Sequence, residues 1–168
     1  MDAQTLKTLQ APFKALYRDD PSAAIITLTA EGVVGEDVSC SVQTGRALVE
    51  AGLHPATGGS GIHACSGDML LEALVACAGV TLSAVATALE IELEHAIVRA
   101  EGDLDFKGTL GVDREAPVGF AEVRLIFQVT SPAPQDRIDT LIRLTERYCV
   151  VYQTIRNATP ISHALERV

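Results

Sequence analysis

The sequence lacks any cluster of basic side chains, and its charge is predominantly negative. Its 168 residues include 13 Lys and Arg against 22 Asp and Glu, which gives a formal net charge of −9 at pH 7. Proteins that bind nucleic acids or anionic membranes attract phosphate groups with clustered Lys and Arg. We therefore expect neither a nucleic acid nor a membrane as a partner of this chain.

The sequence has no cysteine spacing that fits a metal site. The four cysteines are Cys40, Cys65, Cys77 and Cys149, and no two of them form the closely spaced pair of a zinc site. Cys40 alternates with its neighbours in a predicted strand, which favours a core position. The sequence also lacks a nucleotide, flavin or haem motif, so we expect no cofactor and no metal.

Targeting signals are missing from the sequence as well. No basic segment followed by a short apolar stretch begins at Met1, as a secretory signal peptide would require. We expect a cytoplasmic protein, in which thiols stay reduced and a disulfide is catalytic or regulatory. The stretch 69–89 is apolar and long enough to span a membrane, but Asp68 and Glu90 flank it without aromatic or basic anchors. We interpret it as a buried helix of a globular protein.

The periodicity of the sequence predicts one α+β domain over residues 1–168. Its predicted parts are an N-terminal helix extension (1–21), a strand hairpin and glycine-rich loop (22–65), a central helix (66–92), a second strand pair (93–131) and C-terminal helices (132–168). The hairpin turn is predicted at EGVVGED, residues 31–37. This order favours an antiparallel sheet that covers a central buried helix.

One stretch, GGSGIHACSGDMLLEALVACAGVTL at 58–82, resembles the OsmC/Ohr family of thiol-dependent hydroperoxide reductases. That family has a glycine-pair loop, a helix reading like P-x-E-L-L-L-A-A-L-x-x-C, and a second cysteine near the start of a late helix. Here the glycine pair is Gly58–Gly59 and the helix motif ends at Cys77. The second cysteine is Cys149, in ERYCVVYQTI, and the order of elements agrees over nearly the whole chain.

The resemblance implies an OsmC-like fold, with antiparallel sheets packed around a long central helix in an intertwined homodimer. It also implies the reduction of organic hydroperoxides in defence against oxidative stress. Cys77 would attack the peroxide as the peroxidatic thiol and become a sulfenic acid. Cys149 would resolve it as a disulfide, and a dithiol reductant would regenerate the pair.

A reactive Cys77 needs a partner that stabilises its thiolate, because apolar surroundings raise the pKa of a thiol. Similar enzymes use an arginine of the first hairpin, held by an acid near the start of the long helix. Asp68 matches that acid, but the predicted hairpin turn contains no arginine. We assign Arg46, on the next strand, as the cation of the site, with Arg18 and Lys14 as alternatives.

Each candidate residue also has a plainer interpretation. Cys77 and Cys149 could be inert core thiols, since small buried cysteines are common. Asp68 lies nine residues before Cys77, on the opposite side of a helix, so it could cap the helix or serve a second subunit. Cys65 could be a spectator, an alternative resolving thiol, or part of a weak metal site with His63.

Apolar residues surround Cys77 in the sequence and predict a pocket that suits bulky organic hydroperoxides. The predicted lining residues are Leu70, Leu74, Val80, Leu144, Val151 and Tyr152. Together with the missing hairpin arginine, this pocket leaves an alternative function: a protein of the same fold with little peroxidase activity that binds a small apolar ligand. The distance between Cys77 and Cys149 distinguishes the two functions, because the peroxidase reaction ends in a disulfide and a disulfide requires Cα atoms within about 7 Å.

Overall fold

The structure is a computed structural model that describes residues 3–35, 39–42, 52–62, 64–165 and 167. Its helices and strands are α1 (Ala3–Asp19), β1 (Ile25–Gly35), β2 (Ser39–Val42), α2 (Ser66–Ala88), β3 (His95–Asp105), α3 (Phe106–Thr109), β4 (Phe120–Thr130), α4 (Gln135–Tyr148) and α5 (Val150–Arg156). Two short 3₁₀ helices, Pro21–Ala24 and Pro55–Thr57, lie between them. The predicted α+β class is therefore correct.

The four described strands form one antiparallel sheet in the order β2-β1-β3-β4. On β3, every second residue from Ala96 to Gly102 is buried, which is the period-2 alternation of a strand with one face in the core. Val123, Leu125 and Phe127 of β4 pack against the same core. Within the described residues there is one sheet, where the resemblance implied several.

Helix α2 packs against β1, β3, α4 and α5. Its buried residues include Leu71, Leu74, Val75, Ala78, Leu82 and Ala86, which join Leu141 and Cys149 in the main core. Each large aliphatic side chain buried there stabilises the fold by about 1.5–3 kcal/mol. The helix is long and apolar enough to cross a membrane, yet half of its most apolar stretch is buried inside the domain, as in a core helix.

The opposite side of α2 is apolar and exposed. Met69, Ala73, Val80 and Ala84 share this face at helical spacing, and Met69 and Val80 are 36% and 40% exposed. We call these four residues the α2 stripe. Cys77 lies at the edge of the stripe, between its exposed side and the buried side of the helix.

The glycine pair shapes the loop that leads to α2. Gly58 ends the 3₁₀ helix Pro55–Thr57 with a φ of 91°, a left-handed conformation that favours glycine. A Cβ on Gly59 would lie 1.7 Å from the carbonyl oxygen of Leu53, so a larger residue does not fit there. Tyr17 fastens α1 to this loop, because its hydroxyl donates to the Ala56 carbonyl at 2.6 Å.

The prediction of a turn at EGVVGED was wrong over residues 31–35. Strand β1 continues through Gly35, with Glu31 opposite Arg99 and Val33 opposite Ile97 of β3. Pairing with β3 on one side and β2 on the other outweighs the local turn preference of glycine. Residues 36–38 of the predicted turn, and residues 43–50 of the following stretch, lie outside the described residues.

Candidate active site

Cys77 and Cys149 lie side by side, although 72 residues separate them in the sequence. The Cys149 thiol donates a hydrogen bond to the Cys77 sulfur. They meet because α4 and α5 both pack against α2. Cys77 is half-buried in the middle of α2, Cys149 is fully buried, and both thiols are free. The arrangement is a reduced dithiol in which one cysteine is partly buried and the other fully buried.

Cys149 occupies the break between α4 and α5. Its own amide donates to the Thr145 carbonyl at 2.9 Å, which completes α4. Its sulfur accepts from the Tyr152 amide at 3.4 Å and so caps the start of α5. The backbone between these bonds is extended, with φ −70° and ψ 108°. One residue thus ends one helix, begins the next and carries the second sulfur.

Hydrogen bonds favour the thiolate form of Cys77. Burial raises the pKa of this thiol, but the bonds outweigh burial and hold its pKa below the usual value. The donors are the Val151 amide, the Cys149 thiol and the Val150 amide; the nearby Thr81 hydroxyl, whose proton goes to the Cys77 carbonyl oxygen, adds the smallest effect. A thiolate accepts such bonds better than a thiol does, so they favour the charged form. Among the described residues, the groups that shift this pKa include no Lys or Arg.

The pKa of Cys149 is shifted in the opposite direction, upward from its usual value. Its pKa is raised to about 11, mainly by burial, with smaller contributions from the hydrogen bond to Cys77 and the negative charge on that sulfur. The amides of Tyr152 and Val151 offset part of it. At neutral pH Cys149 is therefore a protonated thiol. The pair combines a sulfur that readily ionises with a neutral proton donor.

The structure does not bring Asp68 to the thiols of its own chain. Because α2 is helical from Ser66 to Ala88, Asp68 lies about 13 Å along the axis from Cys77 and on the opposite side. Burial raises the pKa of Asp68, while the charge of His54 partly lowers it. The N-cap of α2 is Cys65, so neither Ser66 nor Asp68 occupies that position.

The cation assigned from the sequence, Arg46, lies outside the described residues. The alternatives, Lys14 and Arg18, belong to α1, which packs against the 3₁₀ helices and α3. The structure therefore places neither of these two alternatives beside Cys77. Its described partners are backbone amides, a thiol and a hydroxyl.

Cys65 is separated from the thiol pair. It lines a cleft of about 390 Å³ with His54 and Phe106, whose rings stack at 4.9 Å between centroids. Twelve helical residues place it about 18 Å from Cys77 along α2, so it does not resolve Cys77 within the same chain. His63, the other residue of the suggested metal site, lies outside the described residues.

A larger apolar groove, with a volume of about 840 Å³, runs between β4, α5 and the segment after α5. Its lining residues are Leu70, Leu74, Phe120, Ala121, Glu122, Val123, Leu125, Tyr152, Thr154, Ile155, Arg156, Ala158, Thr159 and Ile161. Three of the six predicted pocket residues, Leu70, Leu74 and Tyr152, are among them. The described lining includes neither cysteine, but Tyr152 connects the groove to Cys149 through its amide.

Sequence reasoning missed the hydrogen-bond donors to Cys77. Thr81 lies one helical turn after Cys77 and donates to its carbonyl oxygen at 2.7 Å, and this spacing could have suggested it. The amides of Val150 and Val151 had no such signal, because every residue except proline carries one.

Comparison with known proteins identifies the family. The pattern of the family described as OsmC-like protein matches residues 58–164. Among curated proteins, none matches the chain.

Two solved structures are similar in fold. An OsmC-like hydroperoxide resistance protein from Jannaschia sp. has a TM-score of 0.61 at 18% identity, covering 86% of this chain and 95% of that one. An OsmC-like protein from Mycoplasma pneumoniae has a TM-score of 0.55 at 18% identity, covering 79% of this chain and 85% of that one. At this identity the two structures support the fold alone. With a family match over most of its length, the chain belongs to the OsmC-like family.

Proposed function

We propose that this protein reduces organic hydroperoxides with a pair of thiols, as part of the defence against oxidative stress. The observation that carries the proposal is the adjacency of Cys77 and Cys149, with the first favoured as a thiolate and the second held as a thiol. The thiolate is the nucleophilic form of cysteine. Cys77 is only partly buried, which would let a substrate approach it, whereas Cys149 is fully buried beside it.

The proposed reaction has two chemical steps, oxidation of Cys77 and formation of the disulfide, and neither requires a cofactor. In the first, the Cys77 thiolate attacks an oxygen of the hydroperoxide and the O–O bond breaks. The sulfur keeps that oxygen as a sulfenic acid, and the departing alkoxide takes up a proton to become an alcohol. In the second, the Cys149 sulfur attacks the Cys77 sulfur, a disulfide forms and water leaves. A dithiol reductant then exchanges with the disulfide and restores both thiols.

Counting thiols tests the proposal directly. We expect one equivalent of cumene hydroperoxide to lower the count of free thiols by two, because a single turnover ends in one disulfide. Thiol titration of the denatured protein gives the count, and peptide mapping identifies the pair. A disulfide between Cys77 and Cys149 supports the proposal, and an unchanged count contradicts it. A Cys65→Ser variant serves as control and should lose the same two thiols.

We further propose that the chain acts as a cytoplasmic homodimer, with the α2 stripe as the contact. The stripe consists of small or apolar residues, which allow two helices to approach closely. Its exposure in a single chain is explained if a second copy covers it. Such a partner would also stand beside Cys77, at the edge of the stripe. Asp68 of the second chain would then be able to contribute to this site.

Replacing Val80 by lysine is expected to weaken the dimer strongly. Val80 is 40% exposed in the single chain, so lysine is tolerated there, but a paired stripe would bury its charge without a partner. Sedimentation velocity should show a dimer for the parent chain and a monomer for Val80→Lys at the same concentration. The matched control is Val118→Lys, another exposed valine (67%), which lies in the connection before β4. A dimer that survives Val80→Lys would exclude this face.

The apolar groove favours a second candidate function, the binding of a small apolar ligand with little peroxidase activity. A volume of about 840 Å³ is within the range of ligand pockets. Two results together would favour this second function over the first. The thiol count would stay unchanged after peroxide treatment, and an apolar fluorescent probe would bind the parent chain but not the Leu74→Lys variant. Leu74 is buried, so the folded state of that variant must be checked by circular dichroism.

A further inference from the structure

The break between α4 and α5 is bridged by one side chain, that of Gln153. Its Nε2 donates to the Glu146 carbonyl at 2.8 Å, seven residues back along the chain. Its own amide donates to the Cys149 carbonyl at 2.9 Å, within the first turn of α5. The half-buried glutamine thus connects the last turn of α4 to the helix that begins behind Cys149.

The Glu146 carbonyl is the acceptor that decides whether α4 continues. In an uninterrupted α-helix, this carbonyl would accept from the amide of Val150, four residues later. Here Cys149 is extended, so Val150 begins α5 rather than continuing α4, and its amide is one of the groups that lower the pKa of Cys77. A carbonyl at a helix end still needs a donor, and Gln153 supplies it. The side chain of Gln153 therefore takes the place of the Val150 amide.

Asn157 fixes the orientation of the glutamine. Its Nδ2 donates to Oε1 of Gln153 at 2.9 Å and to the Gln153 carbonyl at 2.8 Å. With Oε1 accepting, Nε2 is the atom that faces Glu146. The amide groups form a relay from Asn157 through Gln153 to the end of α4.

We propose that Gln153 is a positioning residue for the thiol pair, because it occupies the Glu146 carbonyl and leaves the amides of Val150 and Val151 directed at Cys77. Without it, α4 gains a residue by capturing the Val150 amide, and Cys77 loses a donor. The proposal rests on the proposed function for its purpose. Its test requires no peroxide, so a failure of the positioning role of Gln153 can be distinguished from a failure of the proposed peroxidase function.

The test measures alkylation of Cys77 by iodoacetamide in the full chain with Gln153→Met. Methionine keeps the length and helix preference of glutamine and removes the donor. A Cys65→Ser background leaves Cys77 as the one cysteine of its tryptic peptide, 47–99. We expect the rate at pH 7 to fall about tenfold, as loss of one hydrogen bond to a charged group predicts. The pH profile should move to higher pH.

The matched control is Gln135→Met, at an exposed glutamine of α4 whose Nε2 donates to Asp139 at 2.8 Å. It loses a similar bond far from the break and should alkylate like the parent. Equal profiles for Gln153→Met and the parent, or equal losses in both methionine variants, would overturn the proposal. If Gln153→Met does not fold, Asn157→Ala decides. It should slow alkylation in the same direction, and an unchanged profile would contradict the role of the relay.

Discussion

Replacing Cys77 by serine is expected to abolish dithiol-dependent reduction of cumene hydroperoxide, to below about a thousandth of the parent rate. Serine is nearly isosteric but stays protonated at neutral pH, so the nucleophile is lost while the shape is kept. Because Cys77 is half-buried and lies at the edge of an exposed face, the fold should remain intact. Peroxide consumption measured with excess dithiothreitol gives the rate.

The control for this variant is Cys65→Ser, which changes a half-buried thiol at the start of the same helix. It should keep the parent rate, because about 18 Å of helix separates it from Cys77. The parent rate should also persist at pH values below the usual thiol range, since the pKa of Cys77 is lowered. A Cys77→Ser variant that retains activity would locate the chemistry elsewhere in the chain.

Replacing Cys149 by serine is expected to stop the cycle after its first step. Cys77 should still consume one equivalent of peroxide, because a serine hydroxyl can replace the Cys149 thiol as donor to the Cys77 sulfur. No disulfide can form, so a sulfenic acid accumulates on Cys77. Trapping by dimedone, read by mass spectrometry, should label Cys77 in this variant and leave the parent unlabelled. Steady-state turnover by dithiothreitol should fall by about a hundredfold.

Cys149→Ala separates the two roles of this residue. Alanine removes both the resolving sulfur and the donor, so the first step itself should slow. It also leaves the Tyr152 amide without its acceptor, which costs about 1–3 kcal/mol of the free energy of unfolding. A chemical denaturation curve measures that loss. If both variants still form an intramolecular disulfide from Cys77 to another cysteine, the assignment of Cys149 as resolving thiol is wrong.

The sequence predicted the helices and strands well where a periodic hydrophobic pattern extends over many residues. Helix α2 was predicted at 66–92 and observed at Ser66–Ala88, and β3 and β4 both lie within the strand pair predicted at 93–131. The extension of β1 through the predicted turn was missed, because that strand is held by partners distant in sequence. Local turn chemistry at Gly32 and Gly35 carries no information about such partners.

The candidate site was predicted in part. Cys77 and Cys149 were chosen from a resemblance, and the structure brings them into contact. The search for a cation considered side chains alone, whereas the described stabilisers of the thiolate include the amides of Val150 and Val151. Their role depends on a helix break whose geometry follows from tertiary packing and from one glutamine. No residue type marks a backbone amide that has changed its acceptor.

The contact between the two sulfurs also orders the proposed reaction in time. Burial is the main reason that the pKa of Cys149 is about 11, and the negative charge on Cys77 adds to it, so the second thiol stays protonated. Oxidation of Cys77 to a neutral sulfenic acid removes this charge. Burial still raises the pKa of Cys149, but without that charge the pKa is lower than before, so a larger fraction of Cys149 is thiolate once it has an electrophile to attack. The charge on Cys77 thus disfavours ionisation of Cys149 before the first step, and its removal favours ionisation before the second.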